Sequence, residues 1–566
     1  MQSAKKLTER LQRQFGNVTA REENGILFLE GSLAHWDEVV AAGQLCADKK
    51  SRRMLVNNIL CAELDTPMIR PSRVDTALAG RACDVLVIGA GVVGCAIARE
   101  LSRTSLDVLL VEKEHDVALH ASSRNDGMVH PGIELKPYQK KRSYNLRGNA
   151  MYPDICKELE VPFARTGQIL GVCERWMRFG LPLITGHWKR MGVPCKFLSR
   201  AELQQREPEL SDTITRGLEF PTAGIVCPYA LTIAYAENAV QNGVQLALDT
   251  AVLDMQVQDG IICSVRTNRG TLYPKVVVNA AGVFSEEIAV LAKDHFFSIH
   301  PRRGTNAILD KKAAHQVRTI ASLIGTAAIN TSHSKGGGLV RTADGNLLVG
   351  PDAVETPEKE NFSTTAQSIH DSFAKQKKAS PSLRESDIIT YFTGVRAATY
   401  EEDFVIEKGR FTKNIVHAAG IQSPGLTAAP AIGVAVAQLA ASFFDKVQPN
   451  AAFNPHRKAI VRTAELPDAE RDALIRSDPD YGVVVCRCEE VSRGEILESL
   501  RRAVPCDTVD GVKRRVRPGM GRCQGGFCGP LVAQIIASEK NIPLDEVLKS
   551  GEGSELLFGS TKPAAE

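Results

Sequence analysis

The chain has 566 residues, a length that predicts two to four domains rather than one compact core. Its apolar content of 43% and charged content of 24% are those of an ordinary globular protein. A formal net charge of +3 is small for this length and argues against a dedicated nucleic-acid-binding protein.

The N-terminal stretch MQSAKKLTERLQRQFG lacks the apolar core of a secretory signal. The sequence contains no run of about 18 apolar residues, so no transmembrane helix is expected. Peripheral association with a membrane through partner subunits is compatible with the sequence. Fourteen cysteines without such a signal predict a cytoplasmic protein whose cysteines are core residues, ligands or reactive thiols.

Residues 1–66 predict a small α+β module with the order helix, strand, strand, helix, strand. The dipeptide Asn24-Gly25 lies between two strand-like runs and predicts a hairpin turn. The pattern GILFLEGSL, then AAGQLCA, then MLVNNIL resembles the BON domain. A docking module without catalysis is the simplest interpretation. A polar stretch with two prolines, residues 62–80, separates the module from the next domain.

A dinucleotide-binding motif begins at residue 84, in DVLVIGAGVVGCAIARELSRTSLDVLLVEK. A buried strand runs into Gly89, Gly91 and Gly94, which form GxGxxG, and a helix and second strand follow, ending at Glu112. The glycines allow a tight turn, a close approach of backbone to a pyrophosphate, and close packing of helix on sheet. An acidic residue at 112 accepts hydrogen bonds from ribose hydroxyls and disfavours a 2′-phosphate, which leaves FAD or NAD.

Two later segments favour FAD. Residues 275–289 and residues 413–440 each predict a buried strand, a glycine turn and a helix. A chain that returns to its nucleotide site about 300 residues later is built around a large, permanently held cofactor.

With these motifs, residues 84–540 resemble the glycine/D-amino-acid oxidase class of FAD-dependent oxidoreductases. ASSRNDGMVHPGIELKPYQKKRSYNLRGNAMY, residues 121–152, looks like the L-2-hydroxyglutarate dehydrogenase family. The order of a flavin domain followed by cysteine pairs looks like the large subunit of anaerobic glycerol-3-phosphate dehydrogenase. The resemblance implies an α/β fold, with a Rossmann-type FAD-binding domain interleaved with a mixed-sheet substrate domain over residues 80–450.

The same resemblance implies a set of FAD-binding residues on the glycine motif, at Glu112 and on five later segments. They are Gly89, Gly91, Gly94, Glu112, Ser123, Arg124, Asn125, Gly127, Val252, Ala281, Gly282, Gly394, Gly420, Ser423, Gly425, Leu426 and Thr427. Asp403 and Phe404 are placed on the flavin side by resemblance as well. Ser423 could equally be a plain N-cap before an apolar helix.

Two residues are candidates for catalysis. His130 matches the histidine that relatives carry on the loop passing the flavin, although Asp126 replaces a serine there and Pro131 follows it. A histidine that titrates near neutrality suits removal of a hydroxyl proton, and the alternative is that it only shapes the loop.

Arg396 matches an arginine that binds anionic substrates in this class, with Ala397 in place of the usual proline. A guanidinium fork grips a carboxylate or phosphate with two hydrogen bonds, and the alternative is a structural salt bridge. Arg302, Arg303 and Lys335 are weaker candidates.

Two cysteine pairs follow at Cys486 and Cys488, and at Cys523 and Cys528, separated by 34 residues. Four thiolates on two short loops can hold zinc or an iron–sulfur cluster. A CxC loop is less typical of zinc, and the glycine-rich RPGMGRCQGGFCGP suits a cluster. Residues 480–550 resemble the helical BFD-like [2Fe–2S] domain, which leaves zinc and a disulfide as alternatives.

These features together predict an FAD-dependent dehydrogenase of a small anionic hydroxy compound, with sn-glycerol 3-phosphate the leading substrate. The cluster would pass electrons to partner protein subunits. L-2-hydroxyglutarate or another 2-hydroxy acid, a secondary amine such as sarcosine or proline, and a non-catalytic electron-transfer subunit are the alternatives. Residues 451–479 are expected to be a linker, and residues 551–566 a flexible tail.

Overall fold

The computed structural model describes residues 2–50, 53–62, 67–133, 135–173, 181–324 and 337–559. The predicted α/β class is confirmed, with a Rossmann-type domain, a mixed-sheet domain and two smaller modules at the ends of the chain.

The N-terminal module folds as the predicted α–β–β–α–β unit. Helices α1 (Ala4–Phe15) and α2 (Trp36–Cys46) accompany a sheet of β1 (Thr19–Glu23), β2 (Ile26–Leu33) and β3 (Met54–Cys61). Asn24 and Gly25 both have positive φ, 52° and 75°, which is the backbone of the predicted hairpin turn. The relation of the module to the BON domain stays a prediction.

The flavin domain is built on a mostly parallel sheet. Its strands are β4 (Ala82–Ile88), β5 (Val108–Val111), β12 (Gln245–Ala247), β13 (Val252–Gln258), β14 (Ile261–Thr267), β15 (Gly270–Asn279), β22 (Val405–Lys408) and β23 (Ile415–Ala419). Their order is β12-β5-β4-β15-β14-β13, and β23 and β22 continue the sheet beyond β15. The central strands are continuous apolar runs because both faces of the sheet are covered. The helices are α3 (Val92–Leu101), α4 (Lys140–Glu158), α7 (Pro228–Gln241), α8 (Ser285–Leu291) and α10 (Gly425–Ala441).

The second domain is a nine-stranded mixed sheet, interleaved with the first as predicted. Its strands are β8 (Gln168–Val172), β9 (Lys196–Leu198), β10 (Arg216–Phe220), β16 (Ile299–Leu309), β17 (Ile320–Ile324), β18 (Gly338–Arg341), β19 (Leu347–Gly350), β20 (Val354–Glu355) and β21 (Ile388–Thr399). Helices α5 (Leu181–Arg190), α6 (Arg200–Arg206) and α9 (Ala366–Gln376) belong to it. A small sheet of β6 (Met128–Val129), β11 (Gly224–Val226) and β7 (Phe163–Ala164) lies where the two domains meet.

The C-terminal domain has its own apolar core of helices around a short hairpin. It contains β24 (Val484–Cys486), β25 (Val491–Ser492), α12 (Arg493–Leu500), α13 (Val509–Val516) and α14 (Gly529–Lys540). The predicted linker, residues 451–479, is an ordered part of the structure, because it contains α11 (Asp468–Ser477) and its Arg457 forms an ion pair with Glu237 of the flavin domain. Of the predicted tail, the structure describes residues 551–559, and residues 560–566 lie outside the described residues.

Within the described part of the chain, no helix combines the length and the apolar composition needed to cross a bilayer.

Candidate active site and cysteine cluster

The glycine motif forms the strand–turn–helix junction between β4 and α3. Gly89 has φ of 103°, and a Cβ there would lie 2.6 Å from the carbonyl oxygen of Ala280. Gly91 is the N-cap of α3, and a Cβ on Gly94 would lie 1.8 Å from the Gly89 carbonyl oxygen. The backbone at Gly89 and Gly94 therefore leaves no room for a side chain. The N–H of Val92 donates to Ser122 Oγ at 2.9 Å, and the first turn of α3 lines an open cavity.

Glu112 closes this turn from the neighbouring strand. Its carboxylate accepts hydrogen bonds from the N–H of Ala90, at 2.7 Å, and of Glu114, at 3.1 Å. Burial raises the pKa of Glu112, while His120 and these N–H donors oppose the shift. Glu112 thus fixes the glycine loop, and the contact of its carboxylate with a ribose stays a prediction.

One elongated cavity starts at the N-terminus of α3 and ends in the nine-stranded sheet. Eight of the predicted FAD-binding residues line it, namely Gly91, Arg124, Asn125, Gly282, Gly394, Ser423, Gly425 and Leu426. The N-termini of α3 and α10 both open into the cavity, which places two positive helix ends where the pyrophosphate and flavin of FAD would lie. The residues present therefore fit FAD.

The other nine predicted FAD-binding residues do not line the cavity. Gly89, Gly94, Glu112, Ser123, Gly127, Val252, Ala281, Gly420 and Thr427 belong to this group. Val252 is a core residue at the start of β13, and a Cβ on Gly127 would lie 2.4 Å from the Val226 carbonyl oxygen.

His130 lines the cavity just after β6. Its backbone N–H donates to Thr427 Oγ1 at 2.8 Å, and its carbonyl oxygen accepts from the side-chain amides of Asn145 and Asn149. This places the histidine on a backbone held from both sides, beside the N-terminus of α10. Such a support suits a base that must meet a substrate at a fixed distance.

Arg396 lies on β21 and lines the same cavity. Its Nη2 donates to the carbonyl oxygen of Asp352 at 3.1 Å. Among the described residues no carboxylate forms a salt bridge with this guanidinium. Burial and the charge of Arg302 lower the pKa of Arg396, and the Asp126 and Asp352 carboxylates oppose the shift. Space for the side chain exists because residue 304 on the neighbouring strand is glycine, where a Cβ would lie 2.2 Å from Arg396 Nη2.

Arg302 faces Arg396 across the paired strands β16 and β21 and also lines the cavity. Unlike Arg396 it is paired, because its Nε donates to Glu355 at 2.7 Å and its Nη2 to Glu402 at 3.0 Å. Arg303 points elsewhere and donates to Ser363. Lys335 lies outside the described residues.

Several cavity residues were not named as candidates from the sequence. They are Lys141, Gln168, Asn306, Asp352 and Glu402. The pairing of Glu402 with Arg302, a hundred positions away, leaves no local signal. Asp403 accepts from the backbone N–H groups of Lys140 and Lys141, so it caps α4 instead of facing the cavity. Pro424, not Ser423, is the N-cap of α10.

The four C-terminal cysteines come together on two loops. Cys488 Sγ lies 3.7 Å from Cys523 Sγ, and Cys528 hydrogen bonds to Cys486. Cys486 and Cys528 are buried, whereas Cys488 and Cys523 are exposed. The Cys528 hydrogen bond, together with the N–H groups of Gly519 and Glu489, lowers the pKa of Cys486 to about 6. Backbone donors aimed at sulfur stabilise thiolates, the form that ligates iron, so the site fits a [2Fe–2S] cluster.

Glycines make these loops sterically feasible. A Cβ on Gly521 would lie 2.3 Å from the Cβ of Cys488, and both Gly519 and Gly525 have positive φ, 85° and 88°. This is the physical reason for the glycine-rich sequence around the second cysteine pair.

The cysteine loops pack against the cavity-forming part of the flavin domain. Tyr229, at the start of α7, donates from its hydroxyl to Met520 Sδ at 3.2 Å. Arg517 donates to the same hydroxyl at 3.3 Å and pairs with Asp344 and Glu489. Nearby, Asp116 forms ion pairs with Arg514 and Arg515. The C-terminal domain is therefore fixed against the flavin domain through buried, charge-assisted contacts.

Comparison with known proteins agrees with this geometry. The family model of FAD dependent oxidoreductases matches residues 84–439, and the model of the BFD-like [2Fe-2S] binding domain matches residues 484–538. The N-terminal module lies before the first match.

A glycerol 3-phosphate dehydrogenase of Caloramator mitchellensis is 39% identical over 85% of this chain and 99% of its own length. A subunit of the anaerobic glycerol-3-phosphate dehydrogenase of Escherichia coli K12 is 23% identical over 80% of this chain and 88% of its own. The dithionite-reduced L-α-glycerophosphate oxidase of Mycoplasma pneumoniae with FAD bound superposes with a TM-score of 0.62, at 28% identity, over 67% of this chain and 98% of its own. The chain thus belongs to the FAD-dependent oxidoreductase family, as a dehydrogenase of the glycerol-3-phosphate dehydrogenase type that carries FAD and a C-terminal [2Fe–2S] cluster.

Proposed function

We propose that this enzyme oxidises sn-glycerol 3-phosphate and delivers the electrons, through its C-terminal cluster, to partner subunits. The observation that carries the proposal is Arg396, a guanidinium without a carboxylate partner among the described residues, on the wall of the cavity that also holds His130. A cation kept in a cavity without such a partner costs free energy, and an anionic substrate offsets that cost when it binds.

Arg396, Arg302 and His130 have different roles in the proposed reaction. Arg396 binds the anionic group with its two-pronged fork, and Arg302 supports it from the next strand. His130 takes the proton from the substrate hydroxyl. FAD, held at the N-termini of α3 and α10, would supply the hydride acceptor, and a cluster held by the four cysteines would supply a one-electron acceptor.

The names of the relatives support the choice of substrate. The Caloramator and Mycoplasma proteins are named for glycerol 3-phosphate or glycerophosphate. A second candidate substrate, a 2-hydroxy acid such as L-2-hydroxyglutarate, has a specific observation in its favour, because a guanidinium fork binds a carboxylate as readily as a phosphate.

Partner subunits are proposed on two grounds. The Escherichia coli relative is itself named as part of a larger assembly, and the exposed Cys488 and Cys523 leave one side of the cluster open to another protein. We also propose that the enzyme is cytoplasmic. In support of this, none of the fourteen cysteines, all of which the structure describes, forms a disulfide.

The test is anaerobic mixing of the purified enzyme with single substrates while the flavin absorbance is followed. Glycerol 3-phosphate is expected to bleach the flavin fastest, with L-2-hydroxyglutarate, sarcosine and proline as competitors. A faster reaction with L-2-hydroxyglutarate would establish the 2-hydroxy acid instead. No bleaching by any of the four would reject a dehydrogenase of these substrates and favour an electron-transfer subunit.

His130→Ala is expected to slow flavin reduction by about 10²–10⁴-fold without loss of FAD, the usual contribution of a general base. His315→Ala, a change of an exposed histidine that does not line the cavity, is the control. Flavin reduction at the native rate in His130→Ala would place the base elsewhere.

Arg396→Lys is expected to raise the substrate concentration for half-maximal bleaching, because an ammonium cannot replace the two-pronged contact. Arg303→Lys is the control on the neighbouring strand. Equal effects of the two changes would show that the overall charge of the sheet, and not the Arg396 fork, binds the substrate.

A further inference from the structure

The N-terminal module lies against the flavin and substrate domains through the free edge of β3. The backbone N–H of Leu55 donates to Glu401 Oε1 at 2.7 Å, and that of Asn57 to Ser298 Oγ at 2.9 Å. The edge of the module's sheet is thereby paired with side chains of the larger body, which is how a folded protein protects a strand edge.

Tyr400 is the deepest point of this contact. Its ring belongs to the apolar core of the N-terminal module, and a Cβ on Gly43 of α2 would lie 2.1 Å from Tyr400 Cε1. Its hydroxyl accepts from Asn57 Nδ2 at 2.8 Å. The module therefore holds this tyrosine on two sides, by packing and by a hydrogen bond.

Tyr400 is in turn stacked on His300, with ring centroids 4.5 Å apart and an interplanar angle of 25°. His300 Nδ1 shares a hydrogen bond with Glu355 Oε2 at 2.9 Å, and Glu355 Oε1 accepts from Arg302 Nε at 2.7 Å. His300 is only 1% exposed, so water does not replace these contacts. A continuous relay thus runs from Asn57 through Tyr400, His300 and Glu355 to Arg302.

The residues beyond Glu401 reach the cavity as well. Glu402 has positive φ, 56°, and its carboxylate joins Arg302 Nη2 to Gln422 Nε2. Residue 401 contacts the module and residue 402 contacts the cavity, so one short turn connects the two. Arg302 is fixed from one side by the relay and from the other by this turn.

We propose that the N-terminal module positions Arg302 through the relay, with Tyr400, His300 and Glu355 as positioning residues for binding of the anionic substrate. The inference rests on the proposed function insofar as Arg302 supports the anion beside Arg396. Arg302 needs such support because two arginines on paired strands repel each other, and a guanidinium free to rotate would lose the geometry that the anion requires. No described residue of the module lines the cavity, so the module would act on the site only through the relay.

The test compares two alanine variants at neighbouring positions of the segment that faces the module, Ser298 and His300. His300→Ala breaks the relay, whereas Ser298→Ala removes a hydrogen bond to the module that leads only to Glu286. His300→Ala is expected to raise the glycerol 3-phosphate concentration for half-maximal flavin bleaching by about tenfold, the loss of one charge-assisted contact. The limiting rate of bleaching should change less than about twofold, because His130 and the flavin contacts are untouched. Ser298→Ala should change neither quantity.

Two further variants guard against a merely structural effect. His300→Gln retains an N–H donor for Glu355 and is expected to recover most of the native half-saturation. Glu355→Gln keeps the shape of the buried network without the charge, and should raise the half-saturation even if His300→Ala fails to fold. A native half-saturation in FAD-loaded His300→Ala, or an equal increase in Ser298→Ala, would overturn the proposal.

Failure of the relay is distinguishable from failure of the proposed function. If no substrate of the panel bleaches the native flavin, the proposed function fails, and inorganic phosphate then serves as the probe. Its binding, measured from the perturbation of the flavin spectrum, should weaken about tenfold in His300→Ala and remain native in Ser298→Ala. Equal phosphate binding in both variants would reject the relay alone.

Discussion

Glu401 joins the N-terminal module to the flavin domain, and its replacement by glutamine is expected to stabilise the protein above pH 7. Burial raises the pKa of this carboxyl to about 7 from an ordinary value of 4.5. Its Oε1 accepts the Leu55 N–H, while Oε2 is buried with no hydrogen-bond partner among the described residues. An uncharged side chain of the same shape keeps the one hydrogen bond and removes the cost of ionisation.

The magnitude follows from linkage. Between pH 4.5 and 7 the folded protein binds more protons at this site than the unfolded chain, so the stability contributed by Glu401 is complete below pH 4.5. This contribution decreases as the pH rises and is lost above pH 7. The free energy of unfolding falls by about 3 kcal/mol in total, since each unit of pKa difference corresponds to about 1.4 kcal/mol. Glu401→Gln does not ionise and should show no such loss.

The assay is thermal denaturation of native protein and Glu401→Gln at pH 5.5 and pH 8.5, with hydrogen exchange of the β3 amides as a local readout. The melting temperature of the variant minus that of the native protein should be a few degrees larger at pH 8.5 than at pH 5.5. At pH 8.5 the β3 amides should exchange more slowly in the variant than in the native protein. Glu402→Gln is the control, because the charges of Arg302 and Lys141 outweigh burial there and lower the pKa to about 2. That variant should be destabilised at both pH values. A pH dependence unchanged by Glu401→Gln would refute the buried contact with β3.

Three further predictions concern the cofactors and the anion site. Gly91→Leu should yield folded protein with little FAD, measured as flavin absorbance per protein, because a side chain at the N-terminus of α3 would occupy the pyrophosphate position. Gly304→Ala should raise the half-saturation for substrate with little change in melting temperature, because the added methyl group displaces the movable end of Arg396; an unchanged half-saturation would contradict that contact. Cys523→Ser should lose the cluster, measured by iron content and electron paramagnetic resonance, but retain FAD and its bleaching by substrate. Zinc in the native protein, or undiminished reduction of the partner by the cluster-free variant, would contradict an electron-transfer role for the cluster.

Local signals account for the parts of the fold that were predicted from sequence. The Asn24-Gly25 turn and the GxGxxG junction need only neighbouring residues, since positive φ and helix packing are decided within one turn. The strand, glycine turn and helix predicted over residues 413–440 are confirmed as β23, Gly420 and α10, which begins at Gly425 and ends at Ala441. The cysteine cluster was predicted because its signal, the spacing within each cysteine pair and the glycines beside them, is visible in the sequence itself.

Long-range contacts account for what the sequence did not predict. Arg302 was only a weak candidate because its partners, Glu355 and Glu402, lie 53 and 100 residues away. Lys141 is in the first turn of α4 and carries no motif. The role of Asp403 was misjudged for a similar reason, since a carboxylate that caps a helix 263 residues earlier looks like any acidic loop residue. Side-chain partners of this kind are decided by the approach of distant strands and helices.

The arrangement of the C-terminal domain explains why cavity and cysteine cluster occur in one chain. Electrons leaving a flavin toward a cluster need a short, dry path, and the hydroxyl of Tyr229 touches Met520, three residues before Cys523. Residue 229 follows β11, and β11 pairs with β6, the strand directly before His130, so one small sheet links this contact to the loop of the proposed base. The backbone N–H of Gly519, next to Met520, is directed at buried Cys486, whereas Cys488 and Cys523 face solvent. Cys486 and Cys528 belong to the apolar core of the C-terminal domain, so the exposed thiols of Cys488 and Cys523 are the part of the cysteine cluster that another protein could approach. In the proposed reaction a partner subunit would take electrons there, while the ion pairs of Asp116 with Arg514 and Arg515 hold the C-terminal domain against the flavin domain.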